Sequence, residues 1–168
     1  FYKYVPVYVS PLMFIRTCEQ VNRGEQIRWH HQWVDLEDIS PNLPLAVMAC
    51  EDQNFFNHSG FDWEAIQKVI EERTEGERFR GGSTISQQTA KNVFLFPTSS
   101  SGKLAWFRKG VEACFTVLIE FMWDKHRIME VYLNTIEMGN GIYGAQAVAQ
   151  NNFGCDAKDL TRNQCAMI

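Results

Sequence analysis

The sequence predicts a mainly α fold, and three observations carry that prediction. Leu104, Phe107, Val111, Cys114, Phe115, Leu118 and Met122 recur at three- and four-residue steps, the period of one helix face. Helix-entry residues stand before several other apolar stretches. Almost no segment alternates apolar and polar residues with the period of two that marks a half-buried strand.

The elements follow in chain order. Phe1 to Trp33 is rich in aromatics and reads as irregular, with one helix around Leu12–Asn22. Its apolar side chains suit either core packing or a membrane surface. Ser40-Pro41-Asn42-Leu43-Pro44 reads as a helix entry, with Ser40 or Asn42 as the cap and proline tolerated in the first turn. Leu45 to Ala49 then form a short helix expected to be buried nearly all round, ending at Glu51-Asp52. Asp62 caps a second helix with Trp63, Ile66, Val69 and Ile70 on one face. Glu71 to Gly82 is charged and glycine-containing and reads as a mobile loop. Ser83 caps a third helix reaching about Val93, and Phe96–Lys103 is a loop before the long helix. A helix over roughly Lys125–Asn134, a turn at Gly139, Gly141 and Gly144, and a final helix near Ala145–Asn151 complete the pattern.

Composition bounds the function. The chain has 168 residues, the length of one domain at about 100–200 residues each. Sixteen Lys+Arg against twenty Asp+Glu give a formal charge of −4, so no global basic field exists to hold nucleic acid. Five scattered cysteines form no Cys-x-x-Cys pair, which argues against a zinc ribbon or a thioredoxin-like site. The longest uninterrupted apolar run, Leu45–Cys50, is far short of the ~20 residues that span a bilayer. The chain opens on Phe1 and stops at Ile168 inside an apolar pattern, so the natural protein is expected to continue beyond both ends.

Three clusters could carry chemistry. Glu51 and Asp52 follow an apolar helix; an acid there is either a solvated helix end or a desolvated general acid or base of raised pKa. Nearby His58 suits either a general base, a metal ligand or a structural hydrogen bond. In Gly81 to Asn92, a glycine-led helix start offers free N–H groups to an anion such as phosphate. Thr84, Gln88 and Lys91 then place a hydroxyl, an amide and a cation on one face; an ordinary polar face is the alternative. Arg108 and Glu112, spaced i, i+4, form either a surface ion pair or a carboxylate beside a phosphate-binding guanidinium, with Lys109 as a second charge. His30-His31 reads as surface.

Together these motifs resemble one family. Glu-Asp-x-x-Phe-x-x-His-x-Gly-x-Asp spans Glu51 to Asp62, and Gly-Gly-Ser-Thr-Ile-Ser-Gln-Gln-x-x-Lys-Asn spans Gly81 to Asn92. Arg-Lys-x-x-Glu runs from Arg108 to Glu112, and Tyr-Leu-Asn-x-x-x-x-Gly-x-Gly-x-x-Gly from Tyr132 to Gly144. Over about Trp33–Ile168 the chain is similar to the peptidoglycan glycosyltransferases of the monofunctional type. Ser86 stands where threonine is usual, and Gln150-Asn151-Asn152 departs from the family pattern before Phe153-Gly154.

The resemblance implies a lysozyme-like fold with a small mobile lobe against the membrane, in one glycosyltransferase domain whose residues 1–32 are membrane-proximal. It implies polymerisation of lipid II, with a lipid-linked glycan chain as glycosyl donor, at the outer face of the bacterial cytoplasmic membrane. A single N-terminal membrane helix is expected outside this chain. Glu51 aligns with the base and Glu112 with the second essential glutamate. Asp52, Ser83, Thr84, Gln88, Lys91 and Arg108 are expected around the substrate diphosphate. Phe55, His58, Lys109 and Asn134 are expected as supporting residues. The loop carrying Arg73, Arg78 and Arg80 is expected to order over the diphosphate. Mg²⁺ or Mn²⁺ fits the chemistry without a dedicated metal site. Penicillin-binding proteins and cell-division proteins are the implied partners. A lytic, lysozyme-like hydrolase and a non-catalytic cell-wall scaffold are the competing readings.

Overall fold

The computed structural model describes residues 1–67, 82–97 and 102–168. The expected loop at Glu71–Gly82, apart from Gly82, lies outside the described residues, as do Val69 and Ile70.

The chain forms seven α-helices among the described residues: α1 (Pro11–Asn22), α2 (Asn42–Glu51), α3 (Ile85–Phe94), α4 (Lys103–Met122), α5 (Lys125–Thr135), α6 (Ala145–Val148) and α7 (Arg162–Met167); residues 63–67 are also helical. Asp62 caps this last stretch, its Oδ1 accepting from Ala65 N–H at 2.9 Å. The α3 helix packs against α4 and α5, α1 against α3, and α2 against α7. Between them lies a core that includes Leu43, Phe55, Ile85, Ile119, Ile128, Val131 and Leu133.

A small three-stranded sheet completes the fold: β1 (His30–His31), β2 (Glu137–Gly139) and β3 (Ile142–Tyr143), in the order β1-β3-β2. The first pair is parallel and the second antiparallel. The sequence pattern did not predict this sheet, because strands of two or three residues are too short to show a period. Two glycines make its tight connection possible. Gly141 has φ +72°, and a Cβ there would stand 2.2 Å from Arg28 O; Gly144 has φ +83°, and its Cβ would stand 2.6 Å from Asn134 O.

Asn134 ties the sheet to α5. Its fully buried amide accepts from Val34 N–H at 3.0 Å and donates to Val34 O at 2.8 Å and Glu130 O at 2.9 Å. Its carbonyl receives the Nε2–H of His31 at 3.0 Å, so His31 is half-buried and structural, where the sequence placed it at the surface.

Four further expectations are corrected. Neither Ser40 nor Asn42 caps α2. Pro41 holds the cap position without a side-chain bond, while Ser40 Oγ donates to Leu160 O at 2.7 Å. The α2 helix is not buried all round: Leu45 is 60% exposed, and Val47 and Cys50 line a surface slot. Thr84, not Ser83, caps α3. The last predicted helix stops at Val148 and continues as a π-helical turn over Ala149–Phe153. The N-terminal stretch divides its apolar groups: Val7 and Met13 are fully buried, whereas Phe1, Tyr4, Tyr8 and Phe14 are exposed.

Candidate active site

The C-terminus of α2 sends two adjacent acids in different directions. Glu51 closes the helix and is exposed, which is the solvated of the two alternatives the sequence left open. Its Oε2 accepts from Gln88 Nε2 at 2.8 Å. Asp52 leaves the helix with φ −160° and ψ 80° and turns its carboxylate inward, leaving the residue only 6% exposed.

Asp52 is a structural anion. His58 Nε2 lies 2.9 and 3.0 Å from its two oxygens, and Ile85 N–H donates to Oδ2 at 3.0 Å. Gly60 N–H donates to His58 Nδ1 at 3.2 Å, so the proton of the neutral imidazole sits on Nε2 and points at Asp52. His58 is therefore a structural donor, and Asp52 is not the substrate-binding acid of the sequence expectation: its oxygens are already occupied.

The same contacts correct the reading of the α3 N-terminus as an open phosphate site. Thr84 Oγ1 accepts from Gln87 N–H at 3.2 Å, Gln87 Oε1 accepts from Thr84 N–H at 3.0 Å, and Asp52 takes the Ile85 N–H. Three orphan donors of the first turn are thus satisfied by side chains, and the anion at the positive end of the helix dipole is the protein's own carboxylate. Thr84 is buried and donates its hydroxyl to Gly60 O at 2.7 Å, which takes it out of reach of a substrate.

A network behind this turn fixes its position, and the sequence reading missed it. Ser86 donates to Glu120, and Lys125 Nζ lies 2.7 Å from the same carboxylate oxygen. Lys125 also stands 4.5 Å above the centre of the fully buried Phe55 ring. The signal in sequence was the i, i+5 pair Glu120–Lys125, which no single-helix rule ranks.

Gln88, Lys91 and Asn92 of α3 face a cleft of about 300 Å³, together with Arg108 of α4, Ile136, and Glu137 of β2. Burial lowers the pKa of Lys91; nearby Lys109 and Arg108 push the same way, and Glu112 and Glu51 oppose them. Glu112 is buried, and its Oε1 lies 2.5 Å from Lys109 Nζ. The carboxylate thus pairs with Lys109 rather than with Arg108, as the i, i+4 spacing had suggested. Ser83 sits within this group, 3.5 Å from Lys109 Nζ through its hydroxyl.

A second, apolar slot of about 210 Å³ includes Val47, Cys50, Glu51, Tyr132, Met138 and Ile168. It shares Ile136 and Glu137 with the cation-lined cleft. Glu51 borders the slot and its partner Gln88 borders the cleft, so their hydrogen bond lies where the two meet. Tyr132, whose hydroxyl is 3.5 Å from Gln88 Oε1, is held in its protonated form: burial raises its pKa well above the usual range, and the charges of Glu51 and Asp52 add to the shift. Among the described residues, no group of three or more His, Cys, Asp or Glu side chains could hold a metal ion.

A mainly helical domain that sets carboxylates beside clustered cations has the equipment of a group-transfer site for an anionic substrate. The Transglycosylase family profile matches residues 19–168, and the chain belongs to that family. It is 55% identical over 167 residues to the biosynthetic peptidoglycan transglycosylase of Bacteroides thetaiotaomicron, covering 99% of this chain and 65% of that protein. The corresponding proteins of Caulobacter vibrioides and Bdellovibrio bacteriovorus are 53% and 48% identical, again over 99% of this chain and over 68% and 65% of theirs. The chain thus spans about two thirds of the length of these relatives. The alignments extend into the segment before Trp33, which the sequence motifs had left outside the resemblance.

Proposed function

We propose that the protein polymerises lipid II into peptidoglycan glycan strands by inverting glycosyl transfer. The observation that carries this reading is the position of Glu51: a solvent-accessible carboxylate, oriented by Gln88, at the border between an apolar slot and a cation-lined cleft. Glu51 takes the proton from the 4-hydroxyl of the acceptor N-acetylglucosamine. That oxygen attacks the anomeric carbon of the lipid-linked donor sugar from the face opposite the diphosphate. The β-1,4 bond forms, and the bond to undecaprenyl diphosphate breaks with its electron pair on the leaving group. Lys91 and Arg108 neutralise the charge growing there. Glu112, held by Lys109, keeps that cation cluster in register. Phe55, His58 and Asp52 support the loop that follows the base.

The cation cluster favours this reading over a lysozyme-like hydrolase, which has no diphosphate to stabilise. Mg²⁺ or Mn²⁺, where it assists, would sit on the diphosphate oxygens with water and at most one or two carboxylates, since no three His, Cys, Asp or Glu side chains group together among the described residues. No step above passes through it.

We further assign the lysozyme-like fold and a site of action at the outer face of the cytoplasmic membrane. Among the described residues no helix is long and apolar enough to cross a membrane. Leu104, Trp106 and Phe107 are 60%, 81% and 70% exposed at the start of α4, in the turn that leads to Arg108. That apolar group would contact lipid beside the cleft that takes a lipid-linked substrate.

The test is gel-resolved polymerisation of labelled lipid II in detergent with Mg²⁺, comparing the full-length protein with Glu51→Gln. Loss of a general base lowers the rate about 10²–10⁴-fold. Because Glu51 is exposed, the thermal midpoint stays unchanged. Polymer from both proteins moves the base elsewhere; cleavage of finished glycan without polymer overturns the reading in favour of the hydrolase.

A further inference from the structure

The cation-lined cleft has a wall that the chemical motifs do not include. Leu12 and Arg16 of α1 line it together with Gln88, Lys91 and Arg108, and both precede residue 19, where the family profile begins. Arg16 is the one basic residue within α1. Its Nε donates to Glu137 Oε2 at 2.9 Å and its Nη1 to Glu19 Oε2 at 2.9 Å. Among the described residues its Nη2 makes no hydrogen bond, and the side chain is 42% exposed. A guanidinium anchored in this way is pre-oriented and still offers N–H groups to a second anion. Among the described residues the cleft therefore holds three cations, Arg16, Lys91 and Arg108, against the carboxylate of Glu137.

We propose that Arg16 is a third cation of the glycosyl-donor site, contacting the lipid-linked diphosphate beside Lys91 and Arg108, while Glu137 orients it and limits how tightly the diphosphate is held. This rests on the polymerase reading above. The site must bind a diphosphate and then release it as product. The carboxylates bonded to the same guanidinium, Glu137 and Glu19, keep Arg16 paired when the diphosphate departs. Glu137 belongs to β2, which borders the apolar slot as well, so the pair also joins α1 to the wall behind Glu51.

The experiment compares full-length wild type, Arg16→Gln, Glu137→Gln and the double variant in detergent. It measures kcat and KM for lipid II polymerisation and, by calorimetry, the affinity for undecaprenyl diphosphate and for inorganic diphosphate. The expected result for Arg16→Gln is an about tenfold rise in KM and an about tenfold weaker affinity for undecaprenyl diphosphate, with a much smaller change in kcat. Glu137→Gln binds the same probe more tightly, and the double variant stays as weak as Arg16→Gln. A pair that only staples α1 to β2 gives another pattern: both single variants lose thermal stability and activity in parallel, and the double variant, with two neutral amides, regains wild-type values. That pattern overturns the proposal. So does Arg16→Gln affinity within twofold of wild type, or a loss confined to inorganic diphosphate. Wild-type protein that binds undecaprenyl diphosphate through Arg16 but makes no polymer refutes the polymerase reading and leaves the Arg16 contact standing.

Discussion

Replacing Asp52 by asparagine changes one atom and removes an arrangement that an amide cannot copy. The carboxylate accepts from two donors, His58 Nε2–H and Ile85 N–H, at 2.9 and 3.0 Å. His58 Nε2 also lies 3.0 Å from Oδ2, so an asparagine oxygen placed there still reaches both donors, but its NH₂ then takes the Oδ1 position, 2.9 Å from the His58 N–H. Setting two donors face to face in a buried site costs about 1–3 kcal/mol, and both remaining bonds lose their charge assistance. The sum is about 3 kcal/mol. For a chain of this length, each kcal/mol moves the midpoint by about 2–4 °C, so the thermal midpoint should fall by roughly 6–12 °C. Because Ile85 begins the helix that carries Gln88 and Lys91, polymerisation should weaken at temperatures well below the new midpoint. The assay is thermal unfolding by circular dichroism of wild type, Asp52→Asn, His58→Gln and the double variant. A midpoint for Asp52→Asn within ~1 °C of wild type refutes the reasoning. Strict additivity in the double variant refutes the coupling to His58.

Two further predictions concern polar side chains within the sheet. Burial depresses the pKa of His31 below its ordinary value of 6.5, partly offset by its bond to Asn134 O. The unfolded chain therefore takes up the proton at higher pH than the folded one. This histidine's contribution to stability is full above about pH 6.5 and is lost as pH falls through the depressed folded value. Urea unfolding at pH 7.5 and pH 5 should show a smaller difference for His31→Gln than for wild type; equal differences would refute the assignment. Tyr143 is fully buried, its hydroxyl has no hydrogen-bond partner among the described residues, and burial, helped by Glu137, pushes its pKa up to about 12. Tyr143→Phe should leave stability unchanged or raise it by up to ~1 kcal/mol in the same urea assay, since it removes an unpaired polar group. A loss above that size would reveal a partner for the hydroxyl.

Most of the helices were legible because their signals are local; α7 was not predicted. The spacing of Leu104, Phe107, Val111, Phe115 and Leu118 defines α4, and Asp62 caps the helical residues 63–67 within three residues of chain. The sheet was not legible, since its partners His30 and Ile142 meet across more than a hundred residues and each strand is too short to carry a period. The candidate site divides in the same way. The residue types were visible in order along the chain: an acid pair, a glycine-led helix start, an Arg-Lys-x-x-Glu run.

Their division of labour was not visible. Glu51 and Asp52 are chemically alike and adjacent, and no pattern ranks one above the other. The backbone turn at Asp52 decides it, sending one carboxylate to the α3 N-terminus and leaving the other beside Gln88. The helix end that sequence offers to a phosphate is filled by that carboxylate, because a dipole and free N–H groups attract whichever anion the fold brings nearest. Lys109, not Arg108, reaches Glu112, and Arg16 joins the cleft only because α1 packs against α3. Sequence alone determined most of the helices, though not α7, and the inventory of charged groups, since both follow from spacing along the chain. The tertiary structure alone decided which charges meet, because distances between elements depend on packing.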